Sequence, residues 1–264
     1  MALTREGKAL TERHRVEQLR ISARADRDIR TLWQRMKMVD LDQSTPYWTA
    51  LMLRVVGMHY KTSQSTAGEY LVAYRTAETG SAAGPIQRPP LNVAEATVAL
   101  RIAGPVALKK SISRGISAES AHRFGVDRVR AASQQIILGG GRDLIDQSAR
   151  ANRRSGRYRR VTDGQPCAFC AMLASRGPAY SDETAYFRAH DHCGCTAEEA
   201  FGGWEPTALE YKWRDAYDEA AEAATAAGQV RRAGRGRGRY EDTILRRMRR
   251  SHPELFSDGV IVKP

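Results

Sequence analysis

Aromatic residues, cysteine and long apolar runs are all scarce in this chain of 264 residues. Aromatic residues make up only 7% of the chain although 42% of it is hydrophobic, so the core must consist largely of Ala, Leu, Val and Ile. No apolar run approaches the roughly 18 residues of a membrane span. The charged start, MALTREGKAL, lacks the apolar region of a secretory signal. These absences predict a protein that is made in the cytoplasm and does not enter a membrane.

Acidic residues are outnumbered, with 30 Asp and Glu against 42 Lys and Arg, and the net charge is +12. Such a balance favours polyanionic partners, either nucleic acid or an acidic protein surface. Two segments, 149–160 and 231–250, carry many arginines and no lysine. Guanidinium groups pair with phosphates in bidentate fashion, which predicts DNA binding without sequence preference. A solvated basic surface is the alternative. The candidate nucleic-acid contacts are Arg153, Arg154, Arg157, Arg159, Arg160, Arg235, Arg237 and Arg239.

Helical periodicity dominates the N-terminal part and predicts a mainly α fold that begins with a long helical hairpin over residues 1–78. The first helix, from Leu10 to about Met38, is expected to bury one apolar stripe and to leave Ile21 off it. A turn at 40–46 precedes the second helix, and the two should pair antiparallel. The residues expected inside are Val16, Leu19, Ala23, Ile29, Leu32, Trp33 and Met36, then Trp48, Leu51, Met52, Val55, Met58, Tyr70, Leu71 and Tyr74.

The rest of the chain divides into four predicted parts. Residues 79–92, rich in Gly and Pro, form a linker, and 93–160 form a helical middle segment without strands before residue 160. Asn92 starts that segment, and both Gly104-Pro105 and the glycines 139–141 should interrupt it. A small Cys/His module occupies 161–204. Residues 205–264 form a C-terminal helix, with Leu209, Trp213 and Tyr217 on one face, and a basic tail predicted to be disordered beyond Gly228.

All four cysteines and two histidines lie between residues 167 and 195. Cys167 and Cys170 are spaced as C-x-x-C, and a second dense group, His190, His192, Cys193 and Cys195, follows about 20 residues later. Two close ligand pairs joined by a short loop suit a tetrahedral zinc ion. Disulfides are disfavoured because nothing routes the chain to an oxidising compartment, and a redox pair is disfavoured because no βαβ pattern surrounds it. Cysteines without metal are the remaining alternative.

The spacing leaves the choice of four zinc ligands open. Cys167 and Cys170 are the firmest candidates, His190, Cys193 and Cys195 compete for the other positions, and His192 is the least favoured. An all-cysteine site is also possible. A zinc deaminase is disfavoured because no H-x-E precedes PCAFC, and a metal-dependent nuclease using His190, Asp191 and His192 is a weak alternative. The zinc is therefore expected to be structural, and the chain is not expected to be an enzyme.

The stretches RVTDGQPCAFCAMLASRGPAY and HDHCGC resemble the MuF-like minor head proteins of tailed phages that infect actinomycetes. The motif of that family is C-x-x-C followed by H-x-x-C-x-C, and Cys167, Cys170, His190, Cys193 and Cys195 fall on it. The strong resemblance covers about 138–201. AEEAF (197–201) departs from the family pattern, in which a proline often precedes the aromatic residue.

The resemblance implies a minor capsid protein that takes part in head morphogenesis. Its expected partners are the portal protein, the major capsid protein of the same phage and DNA. Its expected place is the interior of the phage head near the portal, with several copies in each particle. The hairpin 1–78 is then the candidate for docking on the portal. A zinc-stapled nucleic-acid-binding protein acting outside a particle is the alternative.

Overall fold

The fold is mainly helical, as predicted. The computed structural model describes residues 2–37, 40–155, 157–178, 187, 189–190, 192–229 and 237–259, with the backbone alone for 237–240. The elements are α1 (Arg5–Trp33), α2 (Leu41–Thr79), α3 (Val93–Arg101), a π-helical turn (Ile102–Val106), α4 (Ala107–Ser113), α5 (Ala118–Ala151), β1 (Tyr158–Val161), α6 (Ala168–Ser175), β2 (Thr196–Glu199), α7 (Ala208–Ala226), α8 (Arg237–Ser251) and a 3-10 turn (Pro253–Leu255). Within the described residues, no helix combines the length and apolar character needed to cross a membrane.

The first two helices form the predicted antiparallel hairpin. At one end, the Thr4 hydroxyl donates to the Glu78 carboxylate over 2.7 Å, which joins the start of α1 to the end of α2. At the other end, Trp33 and Trp48 pack edge to face with ring centroids 5.8 Å apart. The long helix α5 packs against both members of the hairpin. The three helices enclose the main apolar core.

The buried face of α1 differs from the expected stripe. Ile21 is fully buried, whereas Ala23 is exposed. The face also carries the polar side chains of Thr11, His14 and Gln18. Partners on other elements accommodate such side chains: the Ser63 hydroxyl of α2, for example, donates to the Gln18 side-chain oxygen over 2.7 Å. A pattern based on hydrophobicity alone cannot find such a face.

The buried face of α2 matches the prediction at Trp48, Met52, Tyr70, Leu71 and Tyr74. It differs in its middle turns. Val56 is fully buried there, Val55 is only half-buried, and Met58 is 53% exposed.

The three glycines at 139–141 do not interrupt the middle segment, contrary to the prediction, because α5 runs through them without a break. Gly140 and Gly141 instead let α5 approach α2 closely. A Cβ atom on Gly140 would lie 2.4 Å from the Tyr60 carbonyl oxygen, and the Gly141 amide donates to the Ser63 hydroxyl over 3.0 Å. The glycines are therefore a packing device.

The predicted helix start at Asn92 and the predicted break at Gly104-Pro105 are confirmed. Asn92 caps α3 by accepting from the Glu95 amide. At Gly104 and Pro105 the helix widens into the π-helical turn before it continues as α4. Proline lacks an amide proton, which accounts for the altered hydrogen bonding at this point.

A two-stranded antiparallel sheet joins the middle of the chain to the Cys/His module. β1 pairs with β2, and Tyr158 lies opposite Glu199. The prediction of no strand before residue 160 is wrong by two residues. A four-residue strand is too short to show a period of two, and its pairing partner lies about 35 residues further along the chain.

The C-terminal part contains more helix than predicted. Thr207 and Glu210 form the expected capping box on α7, and Trp213 is buried, but Leu209 is 43% exposed. Beyond Gly228, where the composition predicts disorder, α8 packs its buried Ile244, Leu245 and Met248 against α6 and α7. Residues 230–236 lie outside the described residues.

The close approach at Gly140 generates a testable contrast with its neighbour. Gly140→Ala should lower the free energy of unfolding by about 1–3 kcal/mol, because its Cβ would strike the α2 backbone. Gly139→Ala, whose Cβ would meet nothing closer than 3.7 Å, should raise it by up to about 1 kcal/mol through helix propensity. Urea unfolding followed by circular dichroism measures both. Equal effects would show that α2 and α5 are not in close contact here.

Candidate metal centre

Cys167 and Cys170 occupy the start of α6. Cys167 is the N-cap residue, and its sulfur accepts from the Cys170 amide over 3.4 Å. The C-x-x-C spacing therefore places both thiols on the first turn of one helix. The partial positive charge of a helix N-terminus favours the thiolate form that binds metals.

The second group of donors reaches the first from the segment that leads into β2. A turn in which the Cys193 amide donates to the His190 carbonyl over 3.1 Å brings these two side chains to the same side. His192, inside that turn, has a positive φ of 62°. It is not among the residues that meet Cys167 and Cys170.

Five donors converge in two overlapping groups. Cys167, Cys170 and His190 form one, and Cys170, Cys193 and Cys195 form the other, with the ligand atoms in each group within 4.8 Å of one another. The Cys170 sulfur belongs to both groups. It lies 3.4 Å from His190 Nε2 and 3.6 Å from the Cys193 sulfur.

These spacings fit a tetrahedral metal site. With metal–sulfur bonds of about 2.3 Å, two sulfurs on one ion lie about 3.8 Å apart. The Cys167 sulfur and His190 Nε2 are closer, 2.8 Å apart, and in direct contact. The cluster could therefore hold a metal ion. All the donors are sulfur or imidazole nitrogen, which are ligands for Zn²⁺ rather than for Mg²⁺ or Ca²⁺.

Two buried arginines support the cluster, and one of them, Arg160, is a predicted DNA contact. Arg160 Nη1 lies 3.5 Å from the Cys170 sulfur and 3.7 Å from the Cys193 sulfur. Arg142, from α5, donates through Nε to the Cys195 carbonyl over 2.8 Å and through Nη2 to the Cys193 carbonyl over 2.5 Å. These cations balance negative charge on the thiolates and fix the loop that carries them.

The electrostatic environment favours the deprotonated form at two of the thiols. Hydrogen bonds with Cys170 and, to a smaller extent, with His190 outweigh the effect of burial and lower the pKa of Cys167 to about 5. Hydrogen bonds with Cys170 and Cys195, together with the guanidinium groups nearby, lower the pKa of Cys193. The same network of hydrogen bonds raises the pKa of Cys170, the thiol shared by both donor groups, so this thiol must still lose its proton when a metal ion binds.

The segment AEEAF (197–201), where the sequence departs from the family pattern, contains two buried carboxylates that join the module to the helices. Glu198 accepts from Arg159 Nε over 2.5 Å and from the Thr11 hydroxyl of α1 over 2.6 Å. Glu199, on the other face of the strand, pairs with Arg75 of α2 over 2.7 and 3.1 Å. Asn152 and Ser155 also donate to Glu199. The sequence contained a signal for these ion pairs. Two adjacent glutamates in a strand point to opposite faces, and an arginine-rich segment nearby can supply a partner on each face.

The predicted nucleic-acid contacts therefore separate into several groups. Arg159 and Arg160 are buried in the protein, at 7% and 3% exposure, so their assignment to DNA is wrong. They are buried because they lie in β1, and the arginine-rich sequence did not predict that strand. The remaining candidates have the following positions: Arg153, Arg154 and Arg157 are exposed, Arg235 lies outside the described residues, and Arg237 and Arg239 belong to the first turn of α8.

The structure defines a class: a helical protein whose long hairpin and α5 carry a small module built around a Cys/His cluster. The chain belongs to the VG15 protein family, a family of viral proteins whose model matches residues 6–244. No curated protein and no solved structure matches the chain.

The buried pair formed by Glu199 and Arg75 generates a prediction. Glu199→Gln should lower the free energy of unfolding by about 3–5 kcal/mol, because it leaves the fully buried guanidinium without its counter-charge. Glu219→Gln is the matched control. Its exposed carboxylate contacts His252, and its loss should change stability by less than about 1 kcal/mol. Urea unfolding compares the two, and equal small effects would contradict a structural role for Glu199.

Proposed function

We propose that this protein is a minor capsid protein of a tailed phage, acting in head morphogenesis and carrying a structural zinc ion. The observation that carries the proposal is the Cys/His cluster in a chain of a viral protein family. Its donors are the residues of the head-protein motif, Cys167, Cys170, His190, Cys193 and Cys195. The fold around them is a mainly helical framework, as expected for such a protein.

A structural role for the zinc agrees with the position of the cluster. The donors Cys170, Cys193 and Cys195 are buried. They pack into a small core with Tyr158 and Phe187, while Cys167 and His190 line the cavity beside it. A module with so few large apolar side chains gains its stability from the metal. Zinc would then join α6 to the segment before β2.

We propose a structural rather than a catalytic role for the zinc, since two carboxylates near the cluster, Glu198 and Asp258, are committed to other partners. A hydrolytic zinc needs an open position and a carboxylate that can accept a proton. Glu198 is committed to Arg159 and Thr11. Asp258, which lines a cavity beside the cluster, is committed to Arg249 and to the Ala168 amide. Asp191 lies outside the described residues. Asp163, beside Cys193, and Asp242, which lines the same cavity as Asp258, are further carboxylates near the donors. A metal-dependent nuclease therefore stays an alternative, the weakest of those considered.

The proposed partners are the portal protein, the major capsid protein and packaged DNA, and the proposed location is the head interior near the portal. Exposed Arg153, Arg154 and Arg157 support phosphate contact. The same arginines support the second candidate function, a zinc-stapled nucleic-acid-binding protein outside the particle. The presence of the protein in particles separates these two functions.

Purified protein should contain about one equivalent of zinc per chain when no chelator is used. Cys170→Ser should lose that zinc, because Cys170 belongs to both donor groups. Elemental analysis with thiol titration measures the outcome. Finding no metal, with all four thiols of the folded protein titratable, would refute the zinc proposal.

A matched pair of histidine variants controls for nonspecific effects. His192→Asn should retain the zinc, since His192 is outside both donor groups and asparagine tolerates its positive φ. His190→Asn should retain the zinc only if the four cysteines alone bind it, and should otherwise weaken binding. Loss of zinc in His192→Asn would contradict the donor groups as described.

Quantitative mass spectrometry of purified virions tests the proposed location. The protein should be present in a few copies per particle and should remain after DNase treatment of the exterior. Particles assembled without it should show defective head assembly. Its absence from virions and procapsids, combined with DNA binding by the purified protein, would instead support the second candidate function.

A further inference from the structure

A groove runs along the hairpin on α2, beside the segment that leads into α3. It has a volume of about 750 Å³, and Leu53, Met58 and Leu91 are among its lining residues. Met58 is 53% exposed and Val93, at the end of the groove, is 56% exposed. Large apolar side chains left open in a concave surface indicate a binding site for another protein segment.

The groove also carries positive charge. Arg54, Lys61 and Arg88 line it, and no carboxylate does. In the part of the chain that the structure describes, none of these three cations forms an ion pair, although most arginines of the neighbouring α1 do. The groove therefore fits a segment that combines apolar side chains with carboxylates.

The chain itself carries such a segment on α7. This helix has five carboxylates and two basic residues, so its net charge is −3 within a chain of net charge +12. Asp215, Asp218 and Glu222 are exposed on one side of it. These three carboxylates form no ion pair with any residue that the structure describes. Tyr211, 49% exposed, continues the same stripe, with a spacing of four, three and four residues.

The two charged surfaces match in number and spacing. Arg54 and Lys61 lie seven residues apart on α2, and Asp215 and Glu222 lie seven residues apart on α7. Since a helix rises 1.5 Å per residue, both pairs span about 10 Å. Arg88 provides a third cation, and Asp218 provides a third carboxylate.

One chain does not bring these surfaces together. α7 packs on α6 and α8. The groove lies on α2 and on the segment that enters α3.

We propose that α7 of one copy docks into the α2 groove of a second copy of this chain. Tyr211 would contact the apolar residues that line the groove, and the carboxylates of α7 would pair with its cations. The two surfaces differ, so the contact is heterologous and can continue from copy to copy into a ring or an open chain. Contacts of a single helix are small, so association should be weak and concentration-dependent. The inference does not depend on the zinc ion or on the proposed location in the virion.

Charge reversal in the full-length protein tests the contact. Lys61→Glu and Glu222→Lys should each weaken self-association at least about tenfold, measured by sedimentation velocity over a concentration series. Mixing the two variants should restore association, because the groove of the first variant and the α7 helix of the second again carry opposite charges at these positions. Salt alone is not a test, because it also screens the repulsion between chains of net charge +12.

Matched controls separate this contact from general effects of net charge. Arg128→Glu and Glu119→Lys reverse charges at exposed positions outside both surfaces, and they should leave self-association unchanged. Circular dichroism should show that all four variants are folded. Wild-type protein that stays monomeric at every concentration would overturn the proposal, as would equal effects of groove and control variants. Loss of DNA affinity in Lys61→Glu without loss of self-association would assign the groove to DNA and also overturn it.

Discussion

The pairing of Arg75 with Glu199 holds the helical framework and the Cys/His module in one arrangement. Both side chains are fully buried. The guanidinium also donates to the carbonyl oxygens of Pro85, before α3, and Ser148, on α5, over 3.0 and 3.3 Å. Burying two charges is costly, and here the cost is offset because further donors, such as Asn152, also satisfy the carboxylate. Four parts of the chain must be in place before this network can form.

The Cys/His cluster lies beside the same short sheet and also depends on buried charges. Arg160 comes from β1 and contacts sulfur, while Arg142 comes from α5 and holds the carbonyls of the loop before β2. The buried cations Arg142 and Arg160 thus lie next to the thiols, and the buried carboxylates Glu198 and Glu199 lie where the module meets the helices. A metal ion that neutralises the thiolates would complete this balance of charge, which accounts for a core with little apolar surface of its own.

Local features of the sequence predicted much of the fold and the candidate site. Helix periodicity predicted the hairpin, cap residues predicted the starts of α3 and α7, and ligand spacing predicted the Cys/His cluster. Features that depend on partners far along the chain were missed. Gly140 continues α5 because a neighbouring backbone lies against it, and Arg160 is internal because β1 pairs with a strand about 35 residues further along. The division of the chain into independently folding units remains a prediction.

The central claim is that a bound metal ion holds the module, and through it the sheet, against the helices. Hydrogen–deuterium exchange of the purified protein, with and without a chelator, tests this claim most directly. We expect metal removal to abolish protection in β1, α6 and β2, while the end of the hairpin around Trp33 and Trp48 keeps its protection. Unchanged protection of the sheet and α6 after complete metal removal would contradict the claim.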